Sequence, residues 1–172
     1  MSDLFFNEVP VEGKPYYKFG DWKTYAVHDE HNVKGFFGDY RWLSNFEPTS
    51  CFYMGIMYPS SENAYQAAKV KTFERQKLVE CTPAQSKKLW KKLEKMDESE
   101  DSWNGRREGV MAQILFSKFL MNENLRIKLV DTGDKYLEET NHWRDTYWGV
   151  DIKLGGENVL GKTLMRLRNY WK

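Results

Sequence analysis

The stretch SSENAYQAAKVKTFERQKLVEC, residues 60–81, reads as a helix and sets the fold class. Pro59 and Ser60 mark its start, and Ser60 or Ser61 can accept from the free amides of the first turn. Ala64, Ala67 and Ala68 favour helix and permit close packing. Glu62, Gln66 and Lys69 follow spacings of four and three, so they share one face, with Tyr65 beside it.

Moving toward the C-terminus, Thr82-Pro83 restarts a helix through AQSKKLWKKLE, with Thr as cap and Pro in the first turn. EKMDESED, residues 94–101, holds five acids and one lysine and reads as a solvated loop. A long helix, REGVMAQILFSKFLMN, follows, with Val110, Ile114, Leu115 and Phe119 at helical spacing. Asn122 is placed to cap ENLRIKLVDTG, which Gly133 ends. Short pieces, KYLEET and TYWGVD, lead to a last helix, NVLGKTLMRLRNYWK, whose basic C-terminal half suits the helix dipole.

Moving toward the N-terminus, CFYMGIMYPS has bulky residues alternating around Gly55, a hairpin signal, and GFFGDYRWLSNF reads as a strand and turn. Residues 1–34 form an aromatic-rich extension expected to pack onto a domain spanning 35–172. The expected fold is mainly α with minor antiparallel β, an α+β domain. Strands and helices do not alternate regularly enough for a doubly wound sheet.

The chain has 172 residues, the size of one domain, and its 26 basic and 25 acidic side chains nearly cancel. No global field points to nucleic acid, although a local basic patch is compatible with that balance. Cys51 and Cys81 form no C-x-x-C pair, and His28, His31 and His142 show no zinc spacing, so neither a disulfide framework nor a metal is expected. No signal peptide or membrane span is visible, and the default compartment is the cytoplasm. Aromatics reach 16%. Rings of this kind build cores, and they also wall sites for sugars and bases.

Four constellations can carry chemistry. Glu62, Gln66 and Lys69 place a carboxylate and an ammonium two turns apart; spacing alone favours a solvated helix edge, while the alanine-rich, aromatic-flanked segment favours packing. Trp103-Asn104-Gly105-Arg106-Arg107 offers a ring and guanidinium groups for phosphate, or a hydrophobic staple with surface arginines. Trp143 to Asp151 gathers Asp145, Trp148, Gly149 and Asp151 in one loop, with an aromatic turn capped by Asp145 as the plain alternative. Asn45, in LSNF, can read a base edge or hold a turn. There is no Walker loop, dinucleotide fingerprint or Ser-His-Asp order, so acid–base work falls to carboxylates and lysine.

The order of these motifs resembles the NADAR (YbiA-like) family. LSNF, YPSSENAYQAAK, Trp103 before REGVM, LVDTGDKYLEET, Asp145-x-x-Trp148-Gly149 and GGENVLGKTLMRLR follow one another over about residues 35–172. Asn63 stands where members often carry histidine, and the acidic insert near 94–102 is particular to this chain. The resemblance implies a compact, mainly helical fold and cleavage of a C–N glycosidic bond. Its known substrates are ribosylamino-pyrimidine phosphates of the riboflavin pathway or ADP-ribosylated guanine. A non-catalytic ADP-ribose or nucleotide-binding module is the alternative. By motif, the family's functional residues fall on Glu62, Trp103 and Trp148, with Asp145 or Asp151 as acidic partner.

Breaking such a bond builds positive charge on C1′ and the ring oxygen. Glu62 then serves in charge stabilisation or acid–base work. Trp103 and Trp148 stack on the base or exclude water, and Arg106 or Arg107 holds phosphate. Lys69 either attacks C1′ to form an imine or pairs with Glu62 or phosphate. Tyr65, Gln66 and Asn45 complete the expected substrate contacts. The expected partner is a nucleotide-like small molecule or ADP-ribosylated nucleic acid, with no cofactor, no metal and no membrane.

Overall fold

The computed structural model describes residues 25–172. A long helix, α3 (Glu100–Met121), forms the centre. Val110, Met111, Ile114, Leu115, Lys118 and Phe119 make its buried stripe, recurring every three or four residues. The hairpin β3 (Cys51–Tyr53) and β4 (Ile56–Tyr58) packs against α3, as do α1 (Ser61–Ala67), α4 (Glu123–Asp131) and α5 (Val159–Trp171). Leu43, Ala64, Ala67, Leu129, Leu137 and Leu164 close the core.

Among the described residues, three small sheets flank the helices. β1 (Val27–His28) pairs antiparallel with β2 (Asn32–Lys34), which pairs parallel with β5 (Tyr136–Glu138). β3 and β4 are antiparallel, and β6 (Thr140–Asn141) runs parallel to β7 (Val150–Asp151). The fold is therefore α+β, with mixed pairing where antiparallel strands were expected. The α-helices between β2 and β5 supply the long crossover that a parallel pair needs. Residues 27–34 are integral to this sheet, and Val33 is fully buried. Residues 1–24 of the expected extension lie outside the described residues.

The helix expected over 60–81 is split. Ser60 caps α1, accepting from the Asn63 amide at 3.2 Å. The α-helix ends at Ala67, and a 3-10 segment, Thr72–Leu78, follows. The cause is tertiary. Lys69 O accepts from the Met96 amide at 3.0 Å, while the Lys71 amide donates to Glu94 O at 2.9 Å. These bonds divert groups that a continuing helix would use internally. Asn63 fixes the turn-back, donating to the carbonyls of Leu78 and Cys81 at 2.7 Å each.

Other boundaries moved for local reasons. α2 (Pro83–Leu89) starts as expected, with a reciprocal Thr82–Gln85 capping box, but yields to a 3-10 turn over Trp90–Lys92. α3 begins at Glu100, before the expected Arg107, because Ser99 accepts from the Ser102 amide. Part of the acidic stretch is thus helical, and Trp103 lies in the first turn of α3. Asn122 precedes α4 but makes no cap bond; its amide donates to Ser50 O and Lys118 O. The expected strand in GFFGDYRWLSNF is a 3-10 helix, Gly38–Leu43. Among the described residues, no helix is long and apolar enough to cross a membrane.

Candidate active site

The polar face of α1 lies inside the molecule. Glu62 is 6% exposed and Gln66 3%. Gln66 Nε2 donates to Glu62 Oε1 at 2.7 Å, and Lys69 Nζ donates to Gln66 Oε1 at 2.8 Å. The three polar side chains form one relay. The solvated-edge reading is therefore excluded for this face.

Aromatic rings wall the relay. Lys69 Nζ sits 4.4 Å from the Tyr65 ring centroid, 4.5 Å from Trp90 and 5.6 Å from Trp103. Tyr65 meets Trp103 at 5.5 Å and packs edge-on to Trp148 at 5.3 Å. Residues from α1, α3, the 3-10 turn after α2, and the loop before β7 thus converge. Trp90 belongs to the site although sequence reading passed over it. Its signal was the spacing of Lys87 and Trp90, three residues apart on a well-capped helix.

Burial sets the protonation behaviour. Desolvation pushes the Glu62 carboxyl up, opposed chiefly by the positive charge of Lys87 and by the Gln66 hydrogen bond. Desolvation pulls the Lys69 ammonium down to about 8, while the Glu62 charge pulls the other way. Burial among the rings thus weakens the ammonium, while the ring faces themselves attract it. Burial also raises the Tyr65 phenol.

The remaining expected residues divide by geometry. Asp145 Oδ1 accepts from the Tyr147 and Trp148 amides at 3.2 and 2.9 Å, which fixes the turn carrying Trp148. Its negative charge also reaches Glu62, raising that carboxyl. Asp151 spends both oxygens on the amides of Arg144, Lys153 and Leu154, so it holds the loop together. Arg106 is committed to Glu98, through Nε at 2.7 Å and Nη2 at 2.5 Å, and to Ala68 O at 3.1 Å. Arg107 lies with its guanidinium carbon 3.5 Å from the Tyr147 ring centroid and has no ion pair among the described residues. Asn45 is buried; its backbone O accepts from the Glu62 amide at 3.0 Å, which ties LSNF to the start of α1. Its side-chain Oδ1 is buried and makes no hydrogen bond.

Gly149 is required where it stands. A Cβ there would lie 2.2 Å from Glu139 O and 2.8 Å from Asn141 Nδ2. This close approach brings the Trp148 turn against the chain at Glu139. Among the described residues, no group of three or more His, Cys, Asp or Glu is arranged to hold a metal.

Acid, amide and amine thus form one buried relay walled by indole and phenol rings. The chain belongs to the NADAR domain family, whose profile matches residues 5–171. It is 33% identical over 134 residues to the N-glycosidase YbiA of Escherichia coli strain K12, covering 76% of this chain and 81% of that protein. An N-glycosidase of Nostoc punctiforme is 28% identical, covering 75% of this chain and 84% of the relative. A riboflavin biosynthesis protein of Vibrio vulnificus is 35% identical over 126 residues; the match covers 73% of this chain and 34% of that relative's length. The NMR structure of Escherichia coli YbiA superposes with a TM-score of 0.69 at 27% identity, covering 84% of this chain and 87% of that one.

Proposed function

We propose that this protein is an N-glycosidase that hydrolyses the bond between C1′ of a phosphorylated ribosyl or ADP-ribosyl group and a base nitrogen. The observation that carries the reading is the Glu62–Gln66–Lys69 relay buried against Tyr65, Trp90 and Trp103. The names of the N-glycosidase relatives support it at modest identity.

In this reading the base and ribose lie among Tyr65, Trp103 and Trp148. Glu62 faces C1′ and stabilises the positive charge that grows there as the bond lengthens. Lys69, neutral in part near pH 8, attacks C1′ with its lone pair while the bond electrons leave with the base nitrogen. The amine's excess proton is taken up by the Glu62 carboxylate. Ring opening of the glycosyl-lysine gives an imine, which water hydrolyses to free the sugar and the amine. Arg107 holds phosphate, since Arg106 is already paired with Glu98. Asp145 acts by positioning Trp148.

A side-by-side assay tests the substrate class. The protein is incubated with a ribosylamino-pyrimidine phosphate and with ADP-ribosylated guanine nucleotide, and the released base is measured. Release from one or both, abolished by Glu62→Gln in a folded protein, is the expected result. Tight binding of both without release would make the protein a nucleotide-binding module.

A further inference from the structure

A second carboxyl, with one oxygen buried, lies close to this site. Glu139 links β5 to β6 between Glu138 and Thr140, both buried, and is itself half-buried. Its backbone is held on both sides: the amide donates to Asn158 Oδ1 at 3.1 Å, and the carbonyl accepts from Val150 N at 2.9 Å. Its side chain runs along Gly149, where an added Cβ would come 3.2 Å from Glu139 Cγ. The position next to Trp148 is therefore fixed by the backbone.

Glu139 Oε2 is buried and makes no hydrogen bond. A buried oxygen without a partner costs free energy, so such a group calls for an explanation. By contrast, the neighbouring Glu138 accepts from Thr140 Oγ1 at 2.7 Å and faces Lys34 at 3.8 Å. Glu139 also shares its electrostatic surroundings with Glu62. Asp145 disfavours ionisation of both carboxyls, and Lys87 favours it for both. Gly149, against which the Glu139 side chain lies, directly follows Trp148, whose ring packs on Tyr65 next to the Glu62 relay.

We propose that Glu139 is the general acid of the site: it delivers the proton of its carboxyl to the base nitrogen as the C1′–N bond breaks. The role rests on the N-glycosidase reading. The electron pair of the breaking bond goes to the nitrogen, which takes the proton, and the base leaves neutral. Glu139 is left as a carboxylate. The nucleophile's surplus proton goes toward Glu62, and exchange with solvent restores the acid before the next turnover. The two carboxyls thus divide the labour: one meets charge at the sugar, the other at the departing base.

The groups facing Glu139 come from four elements. Arg41 lies on the 3-10 helix, Lys118 on α3, Lys87 on α2 and Asp145 on the loop. Desolvation outweighs the three cations, and the carboxyl is pushed up to about 8. An acid of that strength remains protonated at neutral pH and still gives up its proton readily.

The test compares leaving groups. One substrate is whichever base-bearing compound the protein cleaves; the other is 4-nitrophenyl ribose 5-phosphate, whose nitrophenolate departs without protonation. Glu139→Gln should lower kcat on the base-bearing substrate by roughly 100-fold or more while leaving nitrophenol release within about threefold. It should also remove the fall in rate above pH 8. Glu139→Asp keeps an acid and should retain that fall. Preserved nitrophenol release itself reports an intact fold. Equal losses on both substrates with the alkaline fall intact, or no loss on either, would overturn the assignment. A wild-type protein that releases neither base nor nitrophenol defeats the N-glycosidase reading, and this proposal with it.

Discussion

Glu62 and Lys69 are joined through a third side chain: the Gln66 amide donates to one at 2.7 Å and accepts from the other at 2.8 Å. The amide dipole keeps acid and amine two turns apart yet in register. A direct ion pair would quench both charges, whereas the relay leaves each with capacity for substrate. Gln66→Met keeps the length and removes both bonds. Stability should drop by about 1–3 kcal/mol, since Glu62 Oε1 loses its partner in a buried site. Turnover should fall about 10- to 100-fold, more in kcat than in KM, because the loss falls on alignment at the transition state. Thermal unfolding and steady-state kinetics check the two effects, and an unchanged kcat would show that the relay is scaffolding.

The Lys69 amine sets a rising limb in the pH profile. Its folded value of about 8 lies below the ordinary 10.5, so the ammonium dominates at neutral pH and the free amine above 8. Imine trapping by borohydride in a single turnover should therefore increase about tenfold per pH unit up to that point. Lys69→Arg, charged throughout, should give no adduct. The same shift has a stability consequence. Between about 8 and 10.5 the unfolded chain binds more protons at this residue than the folded one, so this group adds stability as pH rises through that window. An adduct whose yield falls as pH rises toward 8 would refute the nucleophile role.

Sequence showed the helix-borne triad because spacing alone puts Glu62, Gln66 and Lys69 on one face. It did not show that the face is buried. That depends on Trp90 and Trp103 arriving from distant parts of the chain. The break in the helix after Ala67 was hidden for a similar reason. Ala67 and Ala68 favour helix, but residues 94–96 claim the backbone groups of Lys69 and Lys71. Caps fared better, since Ser60 and Thr82 act on amides three residues away. Glu139 gave no signal, as one acid in LEET looks like any other until its oxygen is found buried and unbonded.

Adjacent arginines should behave differently. Arg106 is fixed by Glu98 and Ala68, so Arg106→Met should cost about 1–2 kcal/mol of stability and change KM little. Arg107 has no carboxylate partner among the described residues and lies over Tyr147, beside Trp148. Arg107→Met should raise KM for a phosphorylated substrate about tenfold or more, with little effect on a substrate lacking phosphate. Measured KM values and melting curves for the two variants separate a structural arginine from a binding one. Reversed effects would reassign them.

The β3–β4 hairpin offers a stability test away from the site. Met54 and Gly55 both have positive φ, 48° and 83°, as the turn between these two short strands demands. Glycine accepts that backbone freely, but methionine pays for it through contact between Cβ and its own carbonyl. Met54 is also 62% exposed, so its side chain contributes little packing. Met54→Asn installs the Asn-Gly pair that best suits a turn with both central residues left-handed. The variant should gain about 0.5–1 kcal/mol, within the range expected for relieving one left-handed residue at an exposed turn. Gly55→Ala should lose a similar amount. Nothing within 4 Å obstructs a Cβ at Gly55, so that loss can come only from backbone conformation. Paired denaturant titrations with unchanged slopes would confirm both signs. A destabilised Met54→Asn would mean that the methionine side chain stabilises the fold through contacts beyond the turn itself.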